Sequence, residues 1–141
     1  MQTFLPYESF TESAAVLDMP RLGKQRVETL QILRALFGES AGWKNHPATR
    51  MWRGHEAQLL NYGVAVCLEW MRRGYNDTVL DSLIGMAVAY GPLDTPPPPW
   101  LGDPDFHRAH QSNLIRKQPE HYGPLWPGVP SDLPYVWPVA A

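Results

Sequence analysis

The sequence predicts an all-α fold, a compact helical domain closed by a proline- and aromatic-rich C-terminal tail. Three observations carry that expectation. Apolar residues recur at helical spacing from Ser9 to Phe37 and again up to Gly74. No two segments alternate like partnered strands. After Lys117 the helical pattern gives way to "PEHYGPLWPGVPSDLPYVWPVAA", whose closely spaced tryptophans suit an ordered wrap over a helical body. The length of 141 residues suits one hydrophobic core better than two, so residues 1–141 are read as a single domain.

The elements follow in order. Ser9 and Glu12 have capping-box spacing, and Phe10, Ala14 and Leu17 continue at helical intervals, which predicts a first helix ending near Leu17. Asp18 is expected to cap a second helix over Met19–Phe37, with Pro20 tolerated in its first turn. Leu22, Leu30 and Leu33 share one side of that helix, while Arg21, Lys24, Gln25 and Glu28 share another. Arg26 falls nearer the leucines, either paired and partly buried or along the edge of the core. "GESAGWKNHPATR" reads as a loop, followed by a third helix from about Ala48 or Met51 through Arg73, with Gly74 as its C-cap. "DTVLDSLIGMAVAYG" predicts a short helix, "PLDTPPPPWLGDP" a rigid extended connection, and 105–117 a last helix.

Composition narrows the functions available. A net charge of −2 excludes a uniformly cationic surface, yet the cations cluster around Arg21–Arg26, Lys44–Arg53 and Arg108–Lys117, enough to line an anion-binding groove. No apolar run reaches the ~18 residues that would cross a bilayer, and the N-terminus lacks a signal-peptide plan, so a cytoplasmic protein is expected. The lone Cys67 lies in "YGVAVCLEW", which predicts a buried thiol without nucleophilic function.

Several side-chain sets carry chemistry. "LDMPRLGKQR" puts a carboxylate at a helix start with an arginine one turn later, suited to acid–base work beside an anion clamp or to a simple cap and ion pair. His46, His55, His107 and His110 form a rival set, from which a metal-dependent hydrolase is one alternative, although no HExxH or paired CxxC motif is present. "HRAHQSNLIRKQPEHYGPLWP" mixes cations, amides and aromatics as a phosphate-gripping, base-stacking segment does, with Arg108, Arg116 and Lys117 as the cations and His110, Tyr122 or Trp126 for stacking.

Through "MQTFLPY", "LDMPRLGKQRVETLQIL", "HPATRMWRGHEAQLLNYG", "RRGYNDT" and the "HRAHQSNLIRKQPEHYGPLWP" segment, the chain resembles the pyrimidine-dimer DNA glycosylase family of phage endonuclease V type, and within it a small bacterial branch. The resemblance implies a compact helical enzyme that flips a nucleotide from damaged DNA, attacks the sugar C1′ with its N-terminal α-amine, releases the base and can nick the strand by β-elimination. Carried over by position, the essential carboxylate is Asp18 and the phosphate-binding arginine is Arg21. Gln2 is large enough to block removal of the initiator, so the implied amine belongs to Met1. An α-amine has a reference pKa of about 7.7 to 8.0, which leaves a nucleophilic fraction at cellular pH.

The expected function is therefore a DNA N-glycosylase with possible abasic-site lyase activity, acting on damaged or modified duplex DNA or a modified nucleotide in repair. Asp18, Met1 and Arg21 are its expected catalytic residues. Arg21, Lys24, Gln25, Arg26, His46, Arg50, His107, His110, Arg116 and Lys117 are the expected substrate contacts. This reading calls for a monomer with no metal, no cofactor and no membrane contact. A noncatalytic nucleic-acid-binding module of the same fold is a further alternative.

Overall fold

A computed structural model of the chain describes residues 1–139. Seven α-helices follow one another: α1 (Phe10–Val16), α2 (Met19–Leu36), α3 (Pro47–Arg50), α4 (Glu56–Arg72), α5 (Val79–Tyr90), α6 (Pro104–Lys117) and α7 (Pro119–Tyr122), with a 3-10 turn at Gly123–Leu125. The described residues contain no strand, so the all-α expectation holds. No helix is long and apolar enough to cross a membrane.

The caps explain most boundaries. Ser9 Oγ accepts the Glu12 N–H at 3.2 Å to open α1, and Asp103 does the same for Asp105 at 3.0 Å to open α6. At the end of α4 Gly74 takes φ +96°. Its N–H reaches Met71 O and that of Tyr75 reaches Trp70 O, the paired bonds of a Schellman stop.

Two expectations are corrected. The third helix is split into α3 and α4, because Gly54 at φ +85° reverses the chain where continuous helix was expected. Asp18 stands at the N-cap of α2 but makes no side-chain cap bond; its carboxylate is engaged elsewhere. The short α7 and the 3-10 turn were not anticipated within the tail.

α4 packs against α1, α2 and α5. The approach to α2 and α5 is close at Gly63, where an added Cβ would meet Leu83 at 2.9 Å and Thr29 at 3.0 Å. Trp52, Tyr62, Phe106 and Tyr122 are fully buried in the same hydrophobic cluster. Cys67 is buried there too, and burial, ahead of the nearby Asp77 charge, pushes its thiol pKa up to about 12, so the thiol stays protonated and inert at neutral pH.

Arg26 belongs to this framework. Its guanidinium pairs with Asp77 and lies 4.4 Å from the centre of the Trp70 ring, tying α2 to the turn before α5. The side chain is only 13% exposed, so the predicted substrate contact is replaced by a structural ion pair.

The first seven residues are extended and threaded between helices, and side chains satisfy their backbone where strands would normally do so. Gln25 donates to Gln2 O at 2.7 Å and accepts from the Phe4 N–H at 2.9 Å. His110 Nδ1 accepts from the Leu5 N–H at 2.9 Å, while His107 Nδ1 donates to Leu5 O at 2.8 Å. Tyr62 donates to Phe4 O, Gln111 donates to Pro6 O, and Ser13 serves both polar groups of Tyr7. A buried chain cannot leave those groups bare, so these bonds fix where Met1 lies.

Candidate active site

One cavity of about 440 Å³ is lined by Met1, Gln2, Phe4, Pro20, Arg21, Lys24, Glu28, Lys117, Tyr135 and Trp137. Its volume falls in the range of ~300–1,000 Å³ usual for sites that bury a small ligand. Three parts of the chain meet there. The threaded N-terminal segment supplies Met1. The polar face of α2 supplies Arg21, Lys24 and Glu28, which stack at helical spacing. The end of α6 and the tail supply Lys117, Tyr135 and Trp137, the last two rings 5.6 Å apart and inclined by 32°.

The carboxylate at the start of α2 is fully engaged. Asp18 Oδ2 receives Arg21 Nη1 at 3.0 Å and Oδ1 receives the Tyr122 hydroxyl, while the Asp18 N–H donates to that same hydroxyl at 2.8 Å. Burial, then the hydrogen bond to the Asp18 carboxylate, holds the Tyr122 pKa far above that of an ordinary phenol. Tyr122 in turn stacks parallel to Trp126 at 5.7 Å. Arg21 therefore reaches the cavity from a fixed base, and Asp18 is absent from the lining.

Glu28 sits differently. Its Oε2 accepts the Gln2 N–H at 3.2 Å and Gln25 Nε2 at 3.4 Å. The Gln2 N–H belongs to the peptide next to the Met1 amine, so this carboxylate lies against the chain terminus. His46 is coupled to the same place: burial first, and then the charge of the N-terminus, lower its pKa, with Glu28 opposing. Its Nδ1 accepts the Ala48 N–H at 3.0 Å, which puts the proton of the neutral ring on Nε2, and its ring meets Trp137 edge-on at 5.9 Å.

The expected contact residues thus divide. Met1, Arg21, Lys24 and Lys117 line the cavity, and His46 touches its aromatic wall. Arg50 lies in a separate hollow of about 260 Å³ with Asn45, Arg53 and Val139. Gln25, His107 and His110 turn inward onto the N-terminal segment, and both ring nitrogens of His107 are used, Nε2 accepting the Gly102 N–H at 2.9 Å. Burial pushes the His110 pKa down to about 3, with His107 adding to the effect. Arg116 donates to Ser131 O and Leu133 O, pinning the tail. Arg108 reaches toward Gly128 O at 3.5 Å.

The four imidazoles of the rival set are dispersed, with His55 on Pro96 O, His46 at α3 and only His107 and His110 as neighbours. Among the described residues no three His, Cys, Asp or Glu side chains gather as metal ligands.

A sequence model described as pyrimidine dimer DNA glycosylase matches residues 1–83, more than half of the chain. The chain belongs to the pyrimidine dimer DNA glycosylase family. That membership implies a DNA glycosylase of DNA repair, with DNA as the substrate polymer. No curated protein and no solved structure matches the chain. The region matched to the pyrimidine dimer DNA glycosylases contains Met1, Asp18, Arg21, Lys24, Glu28 and His46, and ends before Lys117, Tyr122, Tyr135 and Trp137.

Glu28, Tyr135 and Trp137 carried no assigned role in the sequence reading. Glu28 was legible as a member of the polar face with Arg21 and Lys24, one helical step further on. The two tail aromatics had no local signal, because their position depends on how Arg116 and Ser112 hold the chain before them.

Proposed function

We propose that the protein removes damaged or modified bases, pyrimidine dimers among them, from duplex DNA by covalent catalysis at the Met1 α-amine, followed by abasic-site lyase cleavage. It acts as a single domain and a monomer in the cytoplasm. The observation that carries this reading is the meeting of the chain terminus with two α2 cations, Lys117 and a carboxylate around one cavity. Neutral Met1 amine attacks C1′, and the glycosidic electron pair leaves with the base. The aminal then opens to a Schiff base, from which β-elimination releases the 3′ phosphate oxygen.

Each surrounding group has a job in that sequence. Arg21, oriented by Asp18, grips a phosphate flanking the extruded nucleotide, and Lys24 and Lys117 add charge on the backbone path. Tyr135 and Trp137 offer ring faces for an unstacked base. His46, neutral beside the amine, avoids a second cation that would repel substrate sugar as it gains positive character.

Borohydride trapping on duplex DNA carrying a pyrimidine dimer or an abasic site, with peptide mapping, tests the reading. An adduct on the N-terminal peptide is the expected result. Salt-dependent DNA binding without any adduct on either substrate would replace it with a noncatalytic binding role.

A further inference from the structure

α2 presents two carboxylates to this region, and they are not equivalent. Asp18 and Glu28 are ten residues apart, about 15 Å along a helix axis at 1.5 Å per residue. A nucleophile held beside one is not held beside the other. The Gln2 N–H donates to Glu28, so the chain terminus lies at the Glu28 end.

Their hydrogen-bond states differ as well. Both oxygens of Asp18 are saturated by strong donors, a permanent guanidinium cation on one and the Tyr122 hydroxyl on the other. A base must have a lone pair to offer, and Asp18 would have to give up Arg21 or Tyr122 to provide it. On Glu28 both bonds fall on Oε2, at 3.2 and 3.4 Å, longer than the 2.7–2.9 Å typical of charge-assisted bonds. Oε1 accepts no hydrogen bond from any described residue, and the side chain lines the cavity.

We propose that Glu28 is the catalytic carboxylate that handles the proton of the Met1 amine, and that Asp18 is a positioning residue acting through Arg21. The proposal rests on the reading of the Met1 amine as nucleophile. When the amine forms its bond to C1′ and the base departs with the glycosidic electron pair, the new C1′–N bond carries an ammonium proton. Glu28 takes that proton as a carboxylate. It then delivers the proton to the ring oxygen O4′ as the C1′–O4′ bond breaks and the nitrogen lone pair closes the iminium, which returns Glu28 to its starting charge. The departed base is protonated by water.

The test uses the full-length protein with an abasic-site duplex at saturation, followed by borohydride, and a parallel binding measurement on duplex carrying an uncleavable tetrahydrofuran abasic analogue. Wild type is expected to give the N-terminal adduct. Glu28→Gln retains an oxygen that can accept the Gln2 N–H but lacks the basicity, so trapping is expected to slow about 100-fold while the Kd for the analogue changes less than about twofold. Glu28→Asp is expected to recover part of the rate. Asp18→Asn is expected to show the opposite pattern, weaker binding of the analogue and a smaller loss of trapping rate at saturation.

Wild-type trapping with Glu28→Gln equally fast overturns the assignment. So does a Glu28→Gln variant whose analogue binding or folding collapses together with its trapping, without rescue by Glu28→Asp, since that pattern marks a purely structural carboxylate. Absence of an adduct in wild type is a separate failure, visible before any variant is read, and removes the amine mechanism together with this assignment.

Discussion

The two ends of the chain are both irregular, both reach the same cavity, and are held there by different physics. The N-terminal segment is buried, and side chains from α1, α2, α4 and α6 take up its backbone polar groups one by one. The tail after Gly123 stays largely at the surface, held by Arg116, Ser112 and Asn113 and by packing of Val129, Trp137 and Val139 against the core. A terminus that must present a reacting atom is over-determined, whereas a wall that must admit a ligand is held more loosely. The family match follows the same division, since it covers the N-terminal segment and α2 and stops before the tail.

The sharpest way to break this contrast is to move the amine. One residue added before Met1, or acetylation of Met1, should reduce borohydride trapping to background, because misplacement by ~1 Å can cost ~10²-fold and the lengthened chain displaces the nitrogen further. Binding of the tetrahydrofuran duplex should persist, measured in parallel by fluorescence anisotropy.

Loosening the N-terminal segment should cost stability as well as rate. Gln25→Leu strands the Phe4 N–H and Gln2 O in a buried setting, at ~1–3 kcal/mol for each unsatisfied group, so denaturant unfolding should show a loss of roughly 2–4 kcal/mol. An equivalent break in the tail, Arg116→Ala, releases two exposed carbonyls to water and should cost well under about 1 kcal/mol in the same measurement.

Acid should act on the N-terminal segment through His110. Its folded pKa of about 3 lies below the unfolded reference of about 6.5, so the unfolded chain takes up a proton first as pH falls. The stabilisation is whole above pH ~6.5 and is lost progressively down to pH ~3, about 2 kcal/mol of it by pH 5. Denaturant titrations at pH 7.5 and 5 should show that slope, and His110→Asn should flatten it.

The smallest effect is expected at the tail aromatics. Trp137→Ala removes a stacking face without emptying the core, so duplex binding should weaken by about 1 kcal/mol, roughly fivefold, with the melting temperature nearly unchanged.

Helix-level structure was readable in advance wherever a local rule governs it. The apolar spacing of α1, α2 and α6, the cap at Ser9 and the stop at Gly74 all follow from contacts within a few residues. The break at Gly54 was not readable, because a glycine in a helical pattern signals only that reversal is permitted. The same limit applied to the cations: Arg21, Lys24, Arg26 and Arg116 look alike in sequence, and burial beside Asp77 or tail carbonyls within reach decided which of them serve the framework.

By itself the sequence determined an all-helical protein of the pyrimidine dimer DNA glycosylase family, with Asp18 and Arg21 paired at the start of α2 and a polar helix face running on through Lys24 to Glu28. Only the tertiary structure decided that His107, His110 and Gln25 bind the chain's own backbone, that Tyr122 saturates Asp18, and that Glu28 is the carboxylate against the N-terminal residue. Those outcomes depend on contacts between residues as far as 105 positions apart, such as Leu5 with His110. No local pattern encodes such pairings, because they arise when a buried backbone must find partners among whichever side chains the packed helices bring to it.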